Sequence, residues 1–379
     1  MRRIFGVLLL LTVLWACSSD DSGGISNPQS ENENPENTNG GTNFERKVLL
    51  ANWADNIIIP SYEAFSTEVV SLKTTFEAFK SDASEANLVA LRAAWLSAYR
   101  TWQKVSMFEI GPAESVGLRL NVNIYPTDTE KIAGFLASGS YDLSLTSNRD
   151  AKGFPALDYL INGLGENDVT IVSKFNEPGK EALISYVENV INDMSGLTAQ
   201  VLAEWKQGYR DTFVNEDGSS ATASVDRFAN DFVFYYEKYL RAGKMGIPLG
   251  VFSGVQSPNT VESYYSPTTA NLLFLDGLNS VQNFFNGKHF GSDTQGESLA
   301  SYLDALNRKD LSEDINAQFD SARIAVESLN SFRIELETSD PAVNMLTAYD
   351  VVQKAVPLLK VDMFSAMSIS IDFVDADGD

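Results

Sequence analysis

Residues 183–205 read LISYVENVINDMSGLTAQVLAEW, and the apolar members Leu183, Val187, Val190, Met194, Leu197, Val201 and Trp205 recur at spacings of three and four. A chain wound at 3.6 residues per turn places all seven on one stripe, so the segment reads as a long helix burying a single face. The same spacing returns in Met345, Tyr349, Val352, Val356, Leu359 and Met363, and in Leu88, Leu91, Trp95, Tyr99 and Trp102 within the segment from Glu85 to Phe108. Ala317–Leu336 and Thr268–Phe285 are further candidates, while only Ser368–Val374 looks extended. The architecture expected is all-α, built as helical bundles.

Two segments interrupt the helical period. Gly111-Pro112 through Pro126 is rich in polar and turn-forming residues, and Lys244-Met245-Gly246-Ile247-Pro248-Leu249-Gly250 ends a helix that starts near Val225. Ser253–Pro267 then reads as loop. A length of 379 residues suggests two globular units, with a boundary near residue 250: one bundle over 44–250 and a second over 251–379.

The chain's first residues read differently. Arg2 and Arg3 precede an almost unbroken apolar run from Ile4 to Leu14, about half the ~20 residues a spanning helix needs, so residues 1–16 read as a secretion signal. Leu14-Trp15-Ala16-Cys17 follows, with a Leu three before and a small Ala just before the only cysteine. That is where a lipoprotein signal places its modified residue, so Cys17 is the expected lipidation site, anchoring the chain to a membrane without spanning it. A plain signal peptide with an incidental cysteine is the alternative. Residues 17–43 form the tether: Ser18–Asn43 holds Asp20, Asp21, Glu31, Glu33 and Glu36, no Lys or Arg, and otherwise mostly Ser, Asn, Gly and Pro. Such a stretch cannot bury enough apolar surface to offset its conformational entropy. The acidic Ser18-Ser19-Asp20-Asp21 resembles the export tags of some Gram-negative lipoproteins, which makes an outer-membrane, surface-exposed location the expectation and a periplasm-facing one the alternative.

Composition removes several function classes. Lys and Arg number 28 against 51 Asp and Glu, a formal net charge of −23, so phosphate backbones are repelled and no nucleic-acid partner is expected. One histidine and one cysteine leave no Cys/His zinc site, Cys–His nucleophile pair or disulfide framework. A serine triad would have to use His289, and no G-x-S-x-G elbow supports it. His289 falls in Asn286-Gly287-Lys288-His289-Phe290-Gly291, read as a surface loop between helices. The aromatic sets Trp95, Tyr99, Trp102 and Phe232, Phe234, Tyr235, Tyr236, Tyr239 read as core. Asp375-Ala376-Asp377-Gly378-Asp379 resembles the start of a calcium loop, but the sequence stops before a bidentate Glu can appear, so it reads as a solvated acidic tail.

The most informative stretch for function is Lys152-Gly153-Phe154-Pro155-Ala156-Leu157-Asp158-Tyr159-Leu160-Ile161. It resembles the hallmark Gly-x-His-x-x-Glu of the imelysin-like family, secreted and lipid-anchored proteins first classed as metallopeptidases and often linked to iron uptake. Gly153 matches the glycine, Pro155 stands at the histidine position and Asp158 replaces the glutamate. Asn56–Pro60 with Tyr62 and Phe65, Phe108-Glu109-Ile110-Gly111-Pro112, Asn123–Asp128, Arg241–Gly250 and Tyr265-Ser266 opening a helix fit the same family in order, over roughly residues 44–379. The resemblance implies two helical-bundle domains with a site in the cleft between them.

An imidazole and a carboxylate three residues apart on a helix can reach one cation. Proline offers no donor and lacks even its N–H, although a first helical turn tolerates it. Any cation at this place would be held through oxygens from Asp158 and other carboxylates, as iron or calcium could be, and zinc-type water activation is not available. The alternative reading of Asp158 is a helix-start carboxylate stabilised by the dipole. Three functions follow as expectations: a non-catalytic envelope binding protein for iron or another nutrient, with a metal or small-molecule ligand; a metallopeptidase; or a surface module that meets an envelope protein partner.

Overall fold

The computed structural model describes residues 44–373. Within them the first six members of the stripe fall in one helix, Lys180–Glu204, with Leu183, Val187, Val190, Met194 and Val201 on its buried side, and Trp205 opens its wide-turned continuation Trp205–Tyr209. The principal helices in chain order are α1 (Ile59–Ser81), α2 (Glu85–Trp102), α3 (Gly153–Asp158), α4 (Lys180–Glu204), α5 (Ser224–Phe234), α6 (Ala270–Phe285), α7 (Lys309–Glu327) and α8 (Val343–Gln353). No strand is formed among the described residues; a single antiparallel bridge joins Lys288 to Gln295. The chain is all-α.

Two helical groups share the work of burying these stripes. α1 packs along both α2 and α4, while α7 packs along α6 and α8. The wide-turned helix Tyr235–Gly246, which prolongs α5, lies against both α6 and α8, and α6 packs on α2 to join the groups. One hydrophobic core runs from Leu49 to Ile369. The turns from Ile247 to Ser257 carry the chain past residue 250, with Gly250 at φ +73°. The aromatic residues read as core are core: Trp95, Tyr99 and Trp102, and likewise Phe232, Tyr235 and Tyr236, are buried, with Phe234 and Tyr239 partly so.

Several expected boundaries move. α2 stops at Trp102 rather than continuing to Phe108, and tight turns fill 103–107. The segment 317–336 is not one helix. α7 ends at Glu327 and a new helix, Phe332–Thr338, starts after the Asn330 N–H and carboxamide both donate to Glu335 (3.0 and 3.1 Å). The Glu335 carboxylate, reaching back from the new helix, thus satisfies the Asn330 backbone N–H in place of a carbonyl of α7, a local side-chain bond that competes with helix continuation. Gly111–Pro126 holds two one-turn helices, Pro112–Val116 and Leu118–Val122. Tyr265 and Ser266 lie in turns before α6, which opens at Ala270. Residues 368–373 leave the helix without pairing as a strand; the Asn230 side chain holds them, donating to the Ser370 carbonyl (3.0 Å) and accepting from the Asp372 N–H (3.1 Å). The signal, Cys17, the tether and the Asp375–Asp379 tail lie outside the described residues.

Candidate functional site

α3 is a short helix held from both ends. At its start Gly153 takes φ +75°, a conformation open to glycine and strained for side-chain-bearing residues. Tyr99 stacks on Phe154 at 4.4 Å between ring centres, and the Trp95 indole N–H donates to the Phe154 carbonyl at 3.2 Å. Pro155 is the third residue of α3, inside the first turn, where its missing N–H has no intrahelical partner to lose. The sequence-based reading of a helix starting near Gly153 and accommodating the proline therefore holds.

Asp158 closes α3 and is 1% exposed. The wide turn Tyr159–Gly163 that follows brings the Asn162 carboxamide to one carboxylate oxygen (3.0 Å), while the Tyr265 N–H donates to the other at 2.8 Å. The Ser266 hydroxyl and N–H also donate to this carboxylate. Asp158 thus sits at the end of α3, not its start, and its charge is met by donors from a segment 107 residues away rather than by the dipole of its own helix. Burial pushes its pKa up to about 6, with the Ser266, Tyr265 and Asn162 hydrogen bonds pulling the other way.

Gly153, Pro155 and Asp158 are brought together, and the last two line a pocket of about 160 Å³. Tyr125 and Thr127 form a second wall, and Asn259, Ser263 and Tyr265 a third. Hydroxyl and amide groups dominate this lining, with one carboxylate among them. Among the described residues, no group of three or more His, Cys, Asp or Glu side chains is arranged to hold a metal ion.

Behind the pocket lies a buried polar network that the sequence reading did not anticipate. The Lys244 ammonium donates to Gln103 (2.9 Å) and to Glu262; Glu262 also accepts from Gln103 (3.2 Å) and Asn123 (2.8 Å). Asn123 in turn accepts from the Tyr99 hydroxyl at 2.5 Å. Lys244 and Glu262 are 4% and 1% exposed. Burial lowers the Lys244 pKa against the pull of Glu262, and it lifts Tyr99 and Tyr125 well above the ordinary tyrosine range, with the Glu262 charge adding to both. Glu262 carries no local signal in the sequence, because its partners come from 18 to 159 residues away.

A second buried charge cluster surrounds Arg119. Its Nε donates to the Ser106 carbonyl (2.7 Å), its guanidinium lies over the Tyr239 ring at 4.4 Å, and Asp231 is 3.5 Å away. The Arg119 N–H is bonded by Glu109. Burial raises Glu109 to about 7 and Asp231 to about 6, against the attraction of Arg119.

The raised carboxyl at Asp158 gives a signed pH prediction. A folded-state pKa above the unfolded value means the folded chain holds the extra proton, so this residue's contribution to stability falls as pH rises through the window from about 4 to 6. A shift of about two units corresponds to ~3 kcal/mol over that window. Asp158→Asn removes this component. Urea denaturation at a series of pH values should show the stability difference between the variant and the parent changing between pH 4 and 6 and constant above 7.

Residues 58–358 match the family described as imelysin, peptidase M75. Iron-regulated protein A of Synechococcus elongatus is 22% identical over 316 residues, covering 79% of this chain and 80% of that protein. Two solved structures share the fold. One is of a proposed iron-regulated protein A precursor from Parabacteroides distasonis ATCC 8503 (TM-score 0.69, 18% identity, 86% of this chain and 97% of that one). The other is of an imelysin-like protein from Psychrobacter arcticum 273-4 (TM-score 0.70, 16% identity, 87% and 97%). A family match over most of the chain, an all-α architecture shared with these structures, and a hallmark segment that keeps its glycine and a carboxylate at the right spacing lead to one assignment: the chain belongs to the imelysin family.

Proposed function

We propose that this protein is a lipid-anchored, non-catalytic binding protein of the cell envelope with an iron-related role, and that the Asp158 pocket is its ligand site. The observation that carries the reading is the pairing at the pocket wall: Pro155 presents a ring without donor atoms where the hallmark has an imidazole, and Asp158 keeps a buried carboxylate one turn later. A lone carboxylate among hydroxyls suits recognition of a ligand, or of a cation that brings part of its own coordination shell, better than it suits activation of water. The iron-related part is supported by the printed name of the Synechococcus relative. The envelope part rests on Cys17 and the acidic tether at 17–43. Among the described residues no helix is long and apolar enough to cross a membrane.

Calorimetric titration of the protein with ferric and ferrous iron, calcium, haem and small anions tests it. At least one should bind, and Asp158→Ala should weaken that binding about tenfold or more, the usual consequence of losing a charge-assisted contact. Silence across the panel defeats the reading. Incubation with unfolded protein substrates and zinc should give no cleavage; cleavage that Asp158→Ala abolishes would establish a metallopeptidase instead.

A further inference from the structure

His289, the only histidine of the chain, belongs to a hairpin-like loop that roofs a cavity of about 510 Å³, a volume typical of small-molecule sites. The roof is pinned. Lys288 pairs with Gln295 across the hairpin and the His289 N–H donates to the Thr294 carbonyl at 2.9 Å. The Phe290 N–H reaches the Asn56 carbonyl (2.8 Å), and the Asn52 carboxamide grips the Gly287 and Glu297 carbonyls (3.2 and 3.0 Å). Gly287 turns at φ +63°, where an added Cβ would stand 2.8 Å from Ser298. A cavity with walls fixed in this way needs little reorganisation to accept a ligand.

The lining has two characters. Ile57, Met107, Phe108 and Phe284, all nearly inaccessible to solvent, make an apolar floor, and Phe290 closes one side. The other side carries Lys104, Lys288 and His289, with the amides of Asn279 and Asn283 between. Both carboxylates that face the cavity are already neutralised. Arg100 holds Asp276 at 2.6 and 3.1 Å, and Lys288 holds the fully exposed Asp293 at 2.8 Å. Lys104, by contrast, has no carboxylate within ion-pairing distance among the described residues; its ammonium sits 5.8 Å from the Phe290 ring centre. Its positive charge is left uncompensated at the cavity wall, while the chain as a whole carries 51 acidic residues against 28 basic ones. It makes this cavity a place where an anion meets attraction rather than the repulsion of the surrounding surface.

We propose that the cavity beneath residues 287–296 binds a small organic anion that joins a carboxylate to an aromatic ring, with the carboxylate on the Lys104 and His289 side and the ring on Phe108, Phe284 and Phe290. The apolar floor gives no reason to favour inorganic phosphate, and a single histidine with saturated carboxylates gives none to favour a metal ion. This site is separate from the Asp158 pocket, and the two share no lining residue.

The test is calorimetric titration of the whole protein with indole-3-acetate, its uncharged amide and inorganic phosphate, repeated on Lys104→Gln and on Asp158→Asn. Indole-3-acetate should bind with Kd below about 1 mM, the amide and the Lys104→Gln variant each losing about tenfold or more with the loss of one charge-assisted contact. Asp158→Asn should bind it as the parent does, and unchanged melting of Lys104→Gln shows that its fold is intact. No heat with indole-3-acetate up to 10 Kd of that limit (about 10 mM), equal binding of the amide, preferential binding of phosphate, or loss confined to Asp158→Asn would each overturn the proposal.

Discussion

Glu262→Ala should destabilise the protein by about 3–5 kcal/mol, because it removes the one carboxylate that meets a fully buried ammonium. Lys244 would keep only the Gln103 oxygen, and the carboxamides of Gln103 and Asn123 would each lose an acceptor in a region closed to water. The loss should depend on pH in a defined direction. Burial already lowers the Lys244 pKa, and without Glu262 it falls further. The unfolded chain then binds more protons than the folded one in the window between the lowered folded-state pKa and the ordinary lysine value, so the variant's stability rises as pH rises through that window. Urea denaturation at pH 6 and pH 9 should therefore show a larger deficit at pH 6. The paired replacement Lys244→Met/Glu262→Leu should cost less than Glu262→Ala alone, since two apolar groups of similar volume leave no orphaned charge. A deficit below about 1 kcal/mol for Glu262→Ala, which is the range of surface pairs, would show that the ammonium finds water or another partner.

Gly153→Ala should be comparably damaging, for reasons of backbone geometry. The residue sits at φ +75°, where a Cβ costs roughly 1–2 kcal/mol on its own. The added carbon would also lie 2.8 Å from the Val122 Cα and closer still to the Val122 carbonyl. Backbone cannot rotate out of the way as a side chain can, so α3 must move off the 118–122 turn. A loss of about 3 kcal/mol or more in chemical denaturation is expected, in the class of strained-backbone substitutions. Because Pro155 and Asp158 ride on the same short helix, any ligand of the Asp158 pocket should also bind more weakly in the fraction that folds. Full retention of stability would mean that the contact between α3 and Val122 is not fixed.

The helical stripes were legible because burial of one face forces a period that any reader can count: 183–205 and 268–285 returned as α4 with its continuation and as α6, within a few residues. The break after Glu327 was missed because an apolar period continues across it, while the local chemistry of Asn330 and Glu335 ends the helix. At the site, Gly153, Pro155 and Asp158 could be found through their resemblance to the imelysin-like hallmark. What Asp158 does could not, since its donors Tyr265 and Ser266 are brought in by tertiary folding. Glu262 and Lys244 were invisible for the same reason: an isolated Glu in a polar loop reads as solvated until the fold closes over it. His289 was read as an ordinary surface residue, but it is partly buried and faces a cavity whose other walls come from residues 57–61, 104–108 and α6.

Two of the contacts described above, Asp158 to Tyr265 and Lys244 to Glu262, stitch the chain together across the turns at 247–257. Recombination between distant relatives at that junction would therefore not be neutral. A chimera taking its first 250 residues from one parent and the remainder from another inherits half of each stitch, and it survives only if both parents solved the two pairings in the same way. The Asp158 contact accepts a main-chain N–H that any residue but proline supplies, so it is the ammonium at 244 and the carboxylate at 262 that are expected to change together over evolutionary time, as one inherited unit.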